Sequence, residues 1–157
     1  MKKPRIAKRR SPSGQRHTGS ASRQATKHLR KTFDNSPQLL DYRTNLASHY
    51  RNRTYLERES GNLNQASTLA MEWKNISTGN AAALYEVAAA LAATVAAANA
   101  ASSETQTDNS LWIDQAVEAL AEAVKAGLDP ANLRDDPALK PLHLHPGFQK
   151  LLPAPAS

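Results

Sequence analysis

The side chains best suited to chemistry lie near the C-terminus, where His143 and His145 follow closely on Asp135-Asp136. Two imidazoles two residues apart could share a metal ion in an extended segment. A four-coordinate site needs more ligands, and the spacing supplies no third. Asp136 stands directly before Pro137, which suits it to cap a helical turn better than to hold a cation. The chain has no cysteine, so thiol nucleophiles, disulfides and thiolate metal sites are excluded. Neither a Ser–His–Asp set nor a lysine-based arrangement is suggested by spacing, and the six glycines are scattered rather than gathered into a phosphate loop. The expectation is a protein with no catalytic residue, no metal and no cofactor. Asn52-Arg53-Thr54 and Asn75-Ile76-Ser77 match the glycosylation pattern, which has a consequence only after secretion. Trp73 and Trp112 are the side chains best able to anchor a partner. Trp73 falls on a helical stripe that predicts core packing instead; Trp112 flanks its stripe.

Charge divides the chain unevenly. Residues 1–33 carry eleven basic side chains and no acid, whereas the remainder carries nine basic and fourteen acidic groups, within an overall net charge of +6. The only sizeable apolar groups in that basic segment are Ile6, Leu29 and Phe33. Ordering each residue costs about 1–2 kcal/mol of backbone entropy, which so little apolar area cannot offset. Residues 1–35 therefore read as a disordered tail, with the chain from Leu29 able to join the first helix. Such a tail displaces counterions from phosphate polymers, making Lys2, Lys3, Arg5, Lys8, Arg9 and Arg10 the candidate contacts to nucleic acid. The tail has no interleaved aromatics for base stacking, and a charge block is usually solvated. It also has the Arg-rich, acid-free composition of a transit peptide, but no amphipathic stripe.

Beyond residue 36 the apolar pattern is helical throughout. Leu39, Tyr42, Leu46 and Tyr50 share one face, with Ser36 before Pro37 as an N-cap and first-turn proline. Gly61-Asn62 breaks this run, and Leu63, Ala66, Leu69, Trp73 and Ile76 form the next stripe. A break so short folds the second helix back on the first. After Ser77-Thr78-Gly79-Asn80, residues 81–101 contain thirteen alanines, with Leu84, Tyr85, Val87, Leu91 and Val95 among them. Alanine favours helix and allows close approach of neighbours. With Glu86 inside it and few large apolar groups, this run predicts tight helix packing rather than membrane insertion. Residues 102–110 read as a loop, and Leu111, Ile113, Ala116, Val117, Leu120 and Val124 mark a fourth helix ending near Gly127. Asp129-Pro130 and Asp136-Pro137 predict short capped turns, and Phe148, Leu151 and Leu152 a final seal. The predicted fold is all-α: two stacked antiparallel helical hairpins with C-terminal helical turns over 36–152, followed by a flexible 153–157.

Two groups of residues carry a resemblance. The first is Tyr42-Arg43, Leu46-Ala47, Gly61 and Ala66; the second runs through Ala116-Val117-Glu118-Ala119-Leu120, Ala123-Val124, Ala126-Gly127, Asp136-Pro137, Pro141-Leu142, Pro146 and Phe148. They resemble the tetratricopeptide-like repeats in the C-terminal regions of planctomycete-type bacterial serine/threonine kinases. No H-R-D or D-F-G segment is present, so the resemblance implies the repeat region without the kinase domain. Arg53 and Thr54 stand where the repeat usually has a leucine and a glycine, a departure that would loosen the first hairpin. The resemblance implies a cytoplasmic, non-catalytic module whose partner is a protein or peptide. Polar groups on the first helix of the first hairpin are its candidate contacts: Asn45, His49, Asn52 and Arg53. The edge of that helix, without a preceding repeat, is a candidate for self-association. The alternatives are a truncated kinase remnant without activity of its own and nucleic-acid association through the tail.

Overall fold

Residues 60–62 reverse the chain within a single turn. The Gly61 N–H donates to the Arg58 carbonyl at 3.0 Å and the Asn62 N–H to that of Glu57 at 2.8 Å, with Gly61 at φ 78°. That left-handed conformation costs a glycine nothing for want of a Cβ. The computed structural model describes residues 18–35, 40–101 and 109–154. These form six α-helices: α1 (Thr18–Asn35), α2 (Leu40–Glu59), α3 (Leu63–Ile76), α4 (Ala81–Ala101), α5 (Ser110–Lys125) and α6 (Pro146–Leu151). Two 3-10 turns, Pro130–Asn132 and Pro137–Leu142, lie between α5 and α6. No strand occurs among the described residues, and the class is all-α. Ser36 and Pro37, the expected cap of α2, lie outside the described residues.

The Gly61 turn sets α2 and α3 side by side as one antiparallel hairpin. At the other end of α3, Arg43 of α2 donates to the carbonyl of Ile76 at 3.1 Å and satisfies one of the last orphan acceptors of that helix. Asn80 then caps α4, its Oδ1 accepting from the Ala83 N–H at 3.1 Å. The amide of Asn109 donates to Asn99 at 2.8 Å, joining the end of α4 to the start of α5 and making the second pair antiparallel. α4 packs most closely on α5 and also on α3, while α2 packs chiefly on α3.

One core runs through all of these helices. Leu46 and Tyr50 come from α2, Leu69 and Trp73 from α3, Leu91 from α4 and Leu120 from α5. Burying each such side chain is worth about 1.5–3 kcal/mol. Between them, Ala70, Ala88, Ala92, Ala116 and Ala119 are wholly buried and let the backbones come close. The helix α4 is long and apolar enough to cross a membrane by length and composition, yet here Leu84, Val87, Leu91 and Val95 are buried against its neighbours. A second cluster places Trp112 against Val95 and Ala98, so both tryptophans are core residues.

The terminal turns follow the expected device. Asp129 accepts from the Ala131 N–H and Asp136 from the Ala138 N–H, each at 2.9 Å before its proline. Leu133, Leu139, Leu142 and Phe148 enter the main core. The last helix is capped by an unforeseen residue: His145 Nδ1 accepts from the Gly147 N–H at 3.1 Å, while its Nε2 meets Asp114 of α5 at 2.9 Å. This pairing fixes the tautomer with the proton on Nε2.

Two expectations need correction. Residues 1–35 do not form one unstructured tail, because Thr18–Asn35 is helix α1, with Thr26 buried and Leu29 packed on the main core. The aliphatic stems of its Lys and Arg residues make it compatible with a helix of low apolar content. The helix also lies along the edge of α2 that was expected to be open. Thr54, where the resembled repeat usually has a glycine, is 1% exposed and enclosed by the fold. Residues 1–17, 36–39, 102–108 and 155–157 lie outside the description.

Candidate interaction surface

Along α2 the stripe Leu46, Tyr50 and Thr54 turns inward. Helical geometry sets Asn45, His49 and Asn52 on a neighbouring face, with Arg53 at the border of the two. Asn45 and Asn52 are exposed and His49 is partly buried. None of these three lines the clefts described below, so the structure does not gather the four expected contacts into one site. Arg53 differs. Its side chain is only 13% exposed and reaches to 4.0 Å from Glu57 one turn on, where it borders two adjoining clefts.

The first cleft, about 610 Å³, lies over the Gly61 turn between Arg23, Arg53 and Glu57. The second, about 450 Å³, runs between α1, α2 and α3. Arg23, Arg53 and Gln65 line both, so the two adjoin. Four cationic side chains of α1 border the second cleft: Arg23, Lys27, Arg30 and Lys31. Their spacing of three to four residues sets them on one helical face beside the buried Thr26. Across the cleft stand Leu69 and Glu72 of α3, with Tyr50 of α2 at the base. Burial, and then the hydrogen bond and negative charge of Glu72, push the Tyr50 hydroxyl up to about 12 against the opposing pull of Arg30. A phenol held so firmly in its neutral form is a hydrogen-bond donor, not a base.

A third cleft, also about 450 Å³, adjoins Lys74 and Glu122 between α3 and α5. Lys74 is 8% exposed at its side chain and bonds Glu118 at 2.9 Å and Glu122 at 2.8 Å. Burial works against its charge, but the hydrogen bonds to Glu122 and Glu118 prevail and raise its pKa. This cation is consumed in joining α3 to α5. Similarly, Tyr85 donates to Asp136 Oδ2 and so holds α4 to the terminal turns; that bond, with burial, pushes its hydroxyl up to about 12.

His143 and His145 are drawn apart by their contacts. His143 stacks on Phe148 with ring centroids 5.3 Å apart, whereas His145 turns to Asp114 and Gly147. Among the described residues no three His, Asp or Glu side chains come together in a way that could hold a metal ion. The candidate nucleic-acid contacts Lys2, Lys3, Arg5, Lys8, Arg9 and Arg10 lie outside the described residues.

Sequence reasoning counted Arg23, Lys27, Arg30 and Lys31 only as tail charge. The signal that could have found them is their helical spacing beside Thr26 and Leu29, which makes a face out of what composition presents as a run. Gln65 and Glu72 carried no such signal, since their part in the cleft depends on α1 packing nearby. No protein-family model, curated protein or solved structure matches the chain.

Proposed function

We propose that this chain is a non-catalytic helical module that binds a protein or peptide. The observation that carries the reading is the pair of adjoining open clefts beside α1, α2 and α3, bordered by side chains able to pair with a ligand by charge and hydrogen bonds. The resemblance of residues 37–152 to tetratricopeptide-like repeats of bacterial serine/threonine kinases supports the same role. A cytoplasmic setting and an origin as the repeat end of such a protein belong to this proposal. Of the four contacts expected from sequence, Arg53 is the one we retain at the centre of the surface.

Selection of displayed peptides on the full chain tests the reading. Enriched peptides are expected to bind saturably and to lose affinity on Arg53→Ala, with helix content by circular dichroism unchanged. A folded chain that enriches no peptide above background would refute it. A second reading, nucleic-acid association, draws on the acid-free basic segment 1–33. It predicts affinity for a single-stranded oligonucleotide that falls steeply with salt.

A further inference from the structure

We infer that the cleft between α1, α2 and α3 receives an extended acidic peptide segment. The inference rests on the protein-binding reading above and names the chemistry of the partner. Five cations, Arg23, Lys27, Arg30, Lys31 and Arg53, border the second cleft, against the single carboxylate of Glu72. Glu72 is already engaged by the Tyr50 hydroxyl, and Arg30 also acts on that hydroxyl. Arg23, Lys27 and Lys31 have no ion-pair partner among the described residues. Like charges on three successive turns of one helix repel one another, and an anionic ligand relieves that repulsion.

The dimensions fit a peptide strand. From Arg23 to Lys31 the helix rises about 12 Å, the reach of roughly four extended residues. The adjoining cleft over Gly61 extends the track past Arg53, to a total of about six residues.

A nucleic-acid backbone fits this cleft less well. Its phosphates would pass Glu57 and Glu72 without relief, and Tyr50, 2% exposed, offers no face on which a base could stack. A peptide can place uncharged residues opposite the two carboxylates.

Fluorescence anisotropy with the full chain decides the matter. The probe is a labelled hexapeptide of four glutamates and two leucines, compared with its glutamine counterpart and with a labelled oligothymidylate. The acidic peptide is expected to bind, the glutamine peptide to bind at least tenfold more weakly, and added salt to weaken the complex. Arg23→Glu with Lys27→Glu should cost at least tenfold in affinity. Arg53→Gln, which leaves α1 untouched, should cost about threefold by loss of one ionic contact. Lys140→Glu with Lys150→Glu, in the terminal turns, should change nothing.

Three results would overturn the inference: equal binding of the glutamine peptide, indifference to both cleft variants, or oligothymidylate that binds more tightly and displaces the acidic peptide. Displayed peptides that bind regardless of cleft charge would sink the acidic-strand inference while leaving the binding module standing. No peptide binding of any kind would remove both.

Discussion

Around α4 and α5 the side chains that fill the space between helices are small: Ala88, Ala92, Ala116 and Ala119 are all wholly buried. Around α1 they are long and charged, and clefts of about 450 and 610 Å³ remain between α1, α2 and α3. Helices thus make a closely packed body at one end, with one cleft beside Lys74, and an open, charged surface at the other. Side-chain volume and charge decide which, because a guanidinium cannot be buried against another without a partner. Stability should therefore concentrate in the second hairpin and binding in the first.

Matched truncations would test that division most severely. Leu91→Ala, at a fully buried position in α4, should cost about 2–5 kcal/mol in urea unfolding. Leu69→Ala should cost less, toward the lower end of that range, because Leu69 borders a cleft into which its neighbours can relax. Equal losses would mean that the open end is packed as firmly as the closed one.

The closed end also has a position that tolerates no extra atom. A Cβ on Gly147 would lie 2.9 Å from Val117 Cγ1 and 3.0 Å from the His145 ring. Gly147→Ala should destabilise by about 1–3 kcal/mol through this overpacking. The same substitution at Gly61, where a Cβ meets nothing but the backbone has positive φ, would instead report strain alone.

Alkaline titration compares the two ends through their tyrosines. Tyr50 borders the cleft and Tyr85 joins α4 to the terminal turns, and both hydroxyls are pushed up to about 12. Each holds its proton more tightly folded than unfolded. Its stabilising contribution is therefore complete below the unfolded value of about 10 and is lost as pH rises through about 12. Lys74, also raised, acts in the same direction. Tyrosinate absorbance should show two late-ionising groups, with Tyr50→Phe and Tyr85→Phe each removing one. The acidic hexapeptide should affect the Tyr50 step alone.

The smallest effect is expected at Thr54, whose buried Oγ1 has no hydrogen-bond partner among the described residues. Thr54→Val replaces an unsatisfied hydroxyl by a methyl of similar size and should stabilise by about 0.5–1 kcal/mol in a thermal melt. A loss of stability would show that the hydroxyl is satisfied by water.

Much of this was legible from residue order. The stripes through Leu46–Tyr50 and Leu69–Trp73, the break at Gly61-Asn62 and the Asp-Pro caps each depend on neighbours a few positions away, which is what periodicity and capping rules read. Helix α1 was not, because Thr26 and Leu29, packing groups among its described side chains, stand between basic residues and the segment reads as charge by composition. The cleft was harder still. Its walls come from positions 23, 53 and 72, brought together only by helix packing, while Asn45 and Asn52, expected as contacts, are exposed and do not line it. The cap by His145 was hidden because histidine beside proline usually signals a plain turn.

Asp136 serves two donors at once, taking the Ala138 amide on Oδ1 and the Tyr85 hydroxyl on Oδ2. Parting the turn from α4 would therefore strand the Tyr85 hydroxyl while the cap of the turn survives. Tyr85→Phe should accordingly open the C-terminal segment to protease without unwinding it, a clasp undone from one side only.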